Sequence, residues 1–299
     1  MNVNEIPVAF DCWGDTLIGI VHAPQPAATQ GVLMIVAGGP QYRAGCCRQL
    51  TLIARQMAAN GVAVMRFDYR GLGDGGGEYR GFQDIYDDLA AALNTFQRVA
   101  PSVREITLWG GCDAASASML HGWRFPQVTG MILGNPFASS AESRAKVIVR
   151  HYYLDRFRDK AFWKKVFSLR FNPFKTLPDL LGNLWRSAGM GGAKANAKHK
   201  GKGDGELGDG PFPDRMREGF KRFGGRTLLL MSGESLVRKE FDELVARSPE
   251  WTRLLARPSV TRHDIPAADQ AFSTLAAREE VLAASLDWLA ESGGKTTPT

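Results

Sequence analysis

The stretch ITLWGGCDAASAS, residues 106–118, decides how the rest of this chain is read. Ile106, Leu108 and Trp109 form the apolar, β-prone start of a buried strand. Gly110 and Gly111 interrupt it, Cys112 stands at the break, and Ala114, Ala115, Ser116 and Ala117 open a helix. A strand-to-helix turn that holds one side chain exposed tolerates only tiny neighbours, because any nearby Cβ collides with the turn. The pattern G-x-C-x-A is therefore that of a nucleophile elbow, G-x-S-x-G, with cysteine in the serine place and alanine in the last glycine place.

Working outward, strands and helices alternate on both sides of this turn. Residues 5–23 read as two strands around Trp13-Gly14-Asp15, an antiparallel hairpin at a sheet edge. GVLMIVAGG, from Gly31, is a continuous apolar run, as expected of a strand buried on both faces. A helix over residues 49–60 ends at Gly61, and a strand over 62–67 runs into the glycine-rich loop of 68–77. Ile85, Leu89, Leu93 and Phe96 mark an amphipathic helix, and residues 128–137 another buried strand. The pattern resumes at Gly225 with RTLLLMSGES, a helix near 239–246, VTRHDIPAAD as a last strand, and a helix over 273–289. The expected fold class is α/β, a mostly parallel doubly wound sheet.

Between these blocks the composition changes. Residues 141–188 are rich in Arg, Lys, Phe and Trp and read as a helical lid insertion. Residues 189–212, rich in glycine and lysine, bury too little apolar surface to offset their chain entropy and read as a disordered linker. The expected organisation is a core of 1–140 and 222–292, with a flexible tail over 293–299.

Composition bounds the function. The chain has 299 residues and a formal net charge of +6, part of which lies in GAKANAKHKGKG, so the excess does not argue for nucleic acid. No apolar run approaches the roughly 20 residues of a membrane span. The N-terminal residues lack a basic segment followed by an apolar one, so a cytoplasmic location is expected. Four cysteines make no disulfide framework, and no constellation of metal ligands is present, so neither cofactor nor metal is expected. Cys46 and Cys47 read as a structural pair at a loop or helix start. The composition leaves the oligomeric state open.

The edge hairpin, GGPQYRAG after a buried strand, DYRGLGDGGG, GGCDA and LLLMSGES together resemble the α/β-hydrolase fold. More closely, GGPQYRAG, DYRGLGD, WGGCDAASA and the AFS of ADQAFS resemble the α/β-hydrolases encoded beside exosortase A systems. Those systems are associated with exopolysaccharide production and protein sorting at the cell envelope. The resemblance implies Cys112 as nucleophile; a thiol replaces serine readily because its thiolate forms more easily beside a base or a helix N-terminus. It implies an oxyanion hole from the backbone N–H of Asp113 and one from the loop after the earlier strand. There Pro40 has no N–H, leaving Gly39 or Gln41.

Two positions depart from the pattern. The acid falls on Ser235, which carries no negative charge; Glu234 and Glu240 are the neighbouring substitutes. The histidine falls on Gln270, which has no titratable nitrogen. His263, seven residues earlier, is the remaining candidate base in that region. Arg70 is expected to brace its loop by pairing with Asp68 or Asp74. Two functions follow: a hydrolase or acyltransferase acting on a small-molecule ester or thioester through Cys112, or a fold homologue that binds a ligand or partner without turnover.

Overall fold

The computed structural model describes residues 2–37, 41–138 and 207–293. The lid expected at 141–188, most of the linker expected at 189–212, Gly39, and the tail from 294 lie outside the described residues.

Strands β1 (Asn2–Cys12) and β2 (Asp15–Gln25) form the expected hairpin. Its two-residue turn needs positive φ at both positions, and Trp13 and Gly14 adopt 57° and 86°. Beyond them lie β3 (Gln30–Ile35), β4 (Ala63–Asp68), β5 (Glu105–Gly111), β6 (Val128–Gly134), β7 (Arg226–Glu234) and β8 (Val260–Asp269), in the sheet order β1-β2-β4-β3-β5-β6-β7-β8. From β4 to β8 every neighbouring pair is parallel, while β2 joins β4 antiparallel. β4 is buried along its whole length, as a strand covered on both faces must be.

The helices are α1 (Gln49–Ala59), α2 (Tyr86–Val99), α3 (Asp113–His121), α4 (Phe212–Arg222), α5 (Leu236–Arg247), α6 (Pro249–Leu255) and α7 (Leu275–Gly293). α1 packs with α7, and α3 with α4. Two of them depart from the sequence reading. α4 begins inside the segment read as linker, because Met216, Gly219 and Phe220 form a buried stripe that the flanking charges hide. α6 falls where the sequence reading assigns no element; Pro249 at its first turn and the Ser248 cap start it, and Trp251 is wholly buried.

The glycine-rich loop after β4 is held by two carboxylates. Asp68, fully buried, accepts from the Arg43 guanidinium and, at 2.5 Å, from the Arg43 backbone N–H; Asp74 N–H donates to it at 3.0 Å. Arg70 instead pairs with Asp88 of α2, its Nε and Nη2 donating at 3.0 and 2.8 Å. The expected Arg70–Asp68 or Arg70–Asp74 pairing is thus corrected. An arginine on the strand side of the loop reaches the helix behind it, and Arg43, distant in sequence, takes the loop acids.

Candidate active site

β5 lies between β3 and β6, and Gly110 stands in register with Ile35 on one side and Leu133 on the other. At its end the chain turns abruptly. Cys112 has φ 55° and ψ −122°, a conformation that L-residues avoid, and α3 starts at the next residue. The surrounding bonds fix that turn. Cys112 N–H donates to Gly134 O at 2.8 Å, while Phe137 N–H and Ser116 N–H donate to Cys112 O at 3.1 and 3.2 Å. The Ser116 hydroxyl donates to Phe137 O at 2.5 Å. A Cβ on Gly110 would stand 2.7 Å from the Ala114 carbonyl carbon and 2.9 Å from Ala115 N. That contact is the physical content of the G-x-C-x-A spacing: the strand end must pass directly under the first turn of the helix.

Cys112 is half-buried, at the start of α3, where the first N–H groups have no acceptor within the helix and carry partial positive charge. Asp113, also half-buried, supplies the first of these N–H groups. β3 ends at Ile35, in register with Gly110 next to the elbow.

A second piece of chain converges here. The loop after β8 packs Phe272, buried and at φ 50°, against the elbow. A Cβ on Gly134 would lie 3.2 Å from the Phe272 ring and 3.6 Å from Gly111 Cα. Asn135, wholly buried and at φ 44°, ties three elements together. Its N–H donates to Leu230 O at 3.0 Å, its side-chain oxygen accepts from Ser232 N–H at 2.9 Å, and its Nδ2 donates to Gln270 O at 3.1 Å. Sequence reading passed over Asn135; its signal was a polar residue closing an apolar strand. Asp269 shapes the same loop by accepting from Ala271 and Ser273 N–H at 3.2 and 2.9 Å and from the Ser273 hydroxyl at 2.5 Å. The Ser273 bonds above all hold its pKa below the usual carboxylate range.

The two departing positions meet. Ser235 Oγ donates to Gln270 Oε1 and accepts Arg238 N–H at 3.1 Å as the cap of α5. Ser235 is buried, whereas Glu234 is exposed and Glu240 lies on the buried face of α5. Structure and sequence thus place a hydroxyl–amide pair where the resemblance implies a carboxylate–imidazole pair.

His263 is not part of this arrangement, which corrects its candidacy as base. It pairs with Leu230 in register, six residues before Asp269, or about 20 Å down the strand. Its Nε2 lies 2.9 Å from Glu280 Oε1 on a half-exposed surface. The other two described histidines are also engaged elsewhere. His22 accepts from Arg66 Nε at 2.9 Å, and His121 Nε2 lies 3.0 Å from Gln83 O. Burial lowers the pKa of both to about 4. Among the described residues no group of three His, Cys, Asp or Glu side chains is placed to hold a metal ion. No described helix is long and apolar enough to cross a membrane.

The mostly parallel sheet with its edge hairpin, the elbow after β5 and the loop after β8 that packs against it define the α/β-hydrolase fold. The family model of the serine aminopeptidases, S33, matches residues 27–170, a span that contains the elbow and stops short of Ser235 and Gln270. Among solved structures, an esterase of Pyrococcus furiosus is similar at 12% identity, with 97% of this chain and 91% of that chain covered and a TM-score of 0.65. An acylaminoacyl peptidase of Pyrococcus horikoshii is similar at 12% identity over 97% of this chain and 41% of that one, with a TM-score of 0.62. Est1E of Butyrivibrio proteoclasticus, solved with ferulic acid bound, is similar at 14% identity over 96% and 100% of the two chains, with a TM-score of 0.59. At these identities the likeness is one of fold. No curated protein matches the chain.

Proposed function

We propose that this protein acts on an acyl bond of a small-molecule ester or thioester, with Cys112 as the nucleophile. The observation that carries the reading is the conformation of Cys112, φ 55° and ψ −122°, at the junction of β5 and α3. A strained backbone is retained where the surrounding structure enforces it, and here it lifts a thiol over the end of the sheet. In the proposed reaction the Cys112 thiol gives its proton to solvent, the thiolate sulfur attacks the acyl carbonyl carbon, and the carbonyl electrons move onto oxygen. The N–H of Asp113, with that of Gly39 or Gln41, stabilises this oxyanion. Collapse expels the leaving group, and the acyl-cysteine passes to water or another acceptor.

The hydroxyl–amide pair of Ser235 and Gln270 favours thioesters within this class. A thiol leaves as a thiolate with a conjugate-acid pKa of about 8.5, whereas an alkoxide is about as basic as hydroxide and must be protonated as it leaves. Gln270 has no proton to exchange at neutral pH. The motif resemblance supports a place among the cytoplasmic hydrolases associated with exosortase A and exopolysaccharide systems; the chromosomal neighbourhood of the gene tests that association.

The same Ser235–Gln270 pair favours a second reading, a ligand- or partner-binding protein without turnover. One experiment separates the two. The protein is incubated with a panel of short and long acyl thioesters and nitrophenyl esters, and intact mass and product release are followed. An acyl adduct that disappears in Cys112→Ala supports the nucleophile. Turnover that survives Cys112→Ala overturns it, and absence of both adduct and turnover favours the binding protein.

A further inference from the structure

The segment between β3 and α1 carries two adjacent thiols that the chemistry above does not use. Cys46 and Cys47 are both exposed, and their Sγ atoms are 3.7 Å apart. Successive side chains of an extended chain point to opposite sides. Here the chain is not extended: Gly45 has φ 72°, Cys47 has φ 51° and ψ 32°, and Arg48 has φ 61° and ψ 20°. The left-handed turn brings both sulfurs to one side. It is held by Gly45 N–H donating to Tyr42 O at 2.7 Å, Arg48 N–H to Gly45 O at 3.2 Å and Leu50 N–H to Ala44 O at 3.0 Å, with buried Leu50 anchoring the start of α1. Two non-glycine residues in that region cost about 1–2 kcal/mol each, so the pairing of the thiols is imposed by the fold rather than adopted at random.

Distances decide what such a pair can do. A disulfide needs its sulfurs about 2.05 Å apart and its Cα atoms usually about 4.4–6.8 Å apart, whereas sequence neighbours lie about 3.8 Å apart. Closure here is therefore long and strained. A single atom bonded to both sulfurs at about 2.3 Å, across an angle of about 95–110°, holds them about 3.4–3.8 Å apart. The observed 3.7 Å lies at the wide end of that interval, a few tenths of an ångström from the narrower span of a pyramidal trivalent atom. A closed structural metal site takes four protein ligands, and no such group exists among the described residues. A trivalent metalloid needs two thiols only and keeps its own substituent in the third position.

We propose that Cys46 and Cys47 form a vicinal dithiol site for a trivalent arsenical. In loading, each S–H gives up its proton, two S–As bonds form, and the oxygen of the arsenoxide leaves as water. Arsenic stays trivalent, so no oxidant is consumed. The contact with Cys47 raises the Cys46 pKa, and the Asp269 carboxylate raises it further. Loading therefore speeds up as pH rises, because the thiolate is the species that attacks arsenic. Asp269 is the neighbour of Gln270, so the dithiol lies within electrostatic reach of the candidate active site.

The test uses phenylarsine oxide on the full chain, read by intact mass. One arsenical per chain is expected, with the mass of the reagent less one water. It resists excess monothiol and is removed by 2,3-dimercaptopropanol. Cys46→Ser and Cys47→Ser each abolish the monothiol-resistant adduct, weakening retention by roughly 10²–10⁴-fold because the second bond becomes intermolecular. Cys112→Ser keeps the adduct, whether or not Cys112 is a nucleophile toward acyl groups. The proposal is overturned if the parent chain takes up no monothiol-resistant arsenical, if the adduct persists in either Cys46→Ser or Cys47→Ser, or if Cys112→Ser removes it.

Discussion

Ser235 Oγ donates a hydrogen bond to Gln270 Oε1, joining the cap of α5 to the loop after β8. The pair reproduces the connection that an acid and a histidine make in a hydrolytic triad, without a titratable group in it. The scaffold that aims the pair is intact: Asn135 holds the Gln270 carbonyl, and Phe272 packs on Gly134 beside the elbow.

Restoring titratable groups at these two positions is expected to create ester hydrolysis. Gln270→His with Ser235→Asp supplies a general base and its orienting carboxylate, and aspartate keeps the helix cap. Nitrophenyl ester turnover should rise by roughly 10²–10⁴-fold, with a pH profile inflecting near the histidine range of about 6.5. A double variant with parental turnover at every pH would show that the loop does not present residue 270 to the thiol.

Gly110 and Gly111 are adjacent yet should respond differently to alanine. A Cβ at Gly110 meets the α3 backbone at 2.7–2.9 Å, whereas one at Gly111 meets only Gly134 O at 3.9 Å. Gly110→Ala should lower stability by about 1–3 kcal/mol, as overpacking does, and Gly111→Ala should be near neutral. Urea midpoints measured for both check this. Equal effects would contradict the described elbow packing.

Stability should fall between pH 6.5 and pH 4. His22 and His121 each have a folded pKa of about 4 against an ordinary 6.5, lowered mainly by burial. Above about 6.5 both are neutral, folded or unfolded, and their contribution is complete. As pH falls through this window the unfolded chain takes up protons that the folded chain refuses, which favours unfolding by up to ~3 kcal/mol per histidine. His22→Gln should reduce the slope of stability against pH by about 1.4 kcal/mol per pH unit. An unchanged slope in urea titrations would refute the assignment.

The buried Arg70–Asp88 pair should be costly to break from one side. Both side chains are buried, and Asp88 also accepts the Arg70 N–H at 2.9 Å. Asp88→Ala is expected to cost about 3–5 kcal/mol by leaving the guanidinium only the longer 3.7 Å pair with Asp87, and Arg70→Met added to it should recover part of that loss. Chemical denaturation of the single and double variants measures both terms.

The strands and most helices were legible in the sequence because each announces itself locally. Continuous apolar runs mark strands covered on both faces, and 3.6-residue periodicity marks α2. The exceptions, α4 and α6, bury short stripes among many charges, too few for a periodic pattern to emerge. Arg70 was assigned the wrong carboxylates because ion pairs depend on which elements pack together, not on nearness in sequence.

From the sequence alone came the elbow with Cys112 and the mostly parallel α/β sheet, and from its family resemblance the two replaced positions, Ser235 and Gln270. The elbow and the sheet depend on residue types at fixed spacing, which local sterics and burial make readable. Only the tertiary structure decided that Ser235 and Gln270 bond to each other, that Asn135 holds their loop, and that His263 belongs to a surface pair with Glu280. It also decided that Cys46 and Cys47 face the same side. Such relations arise where distant segments, or the two sides of one turn, are brought within about 3–4 Å, and no linear spacing encodes that approach.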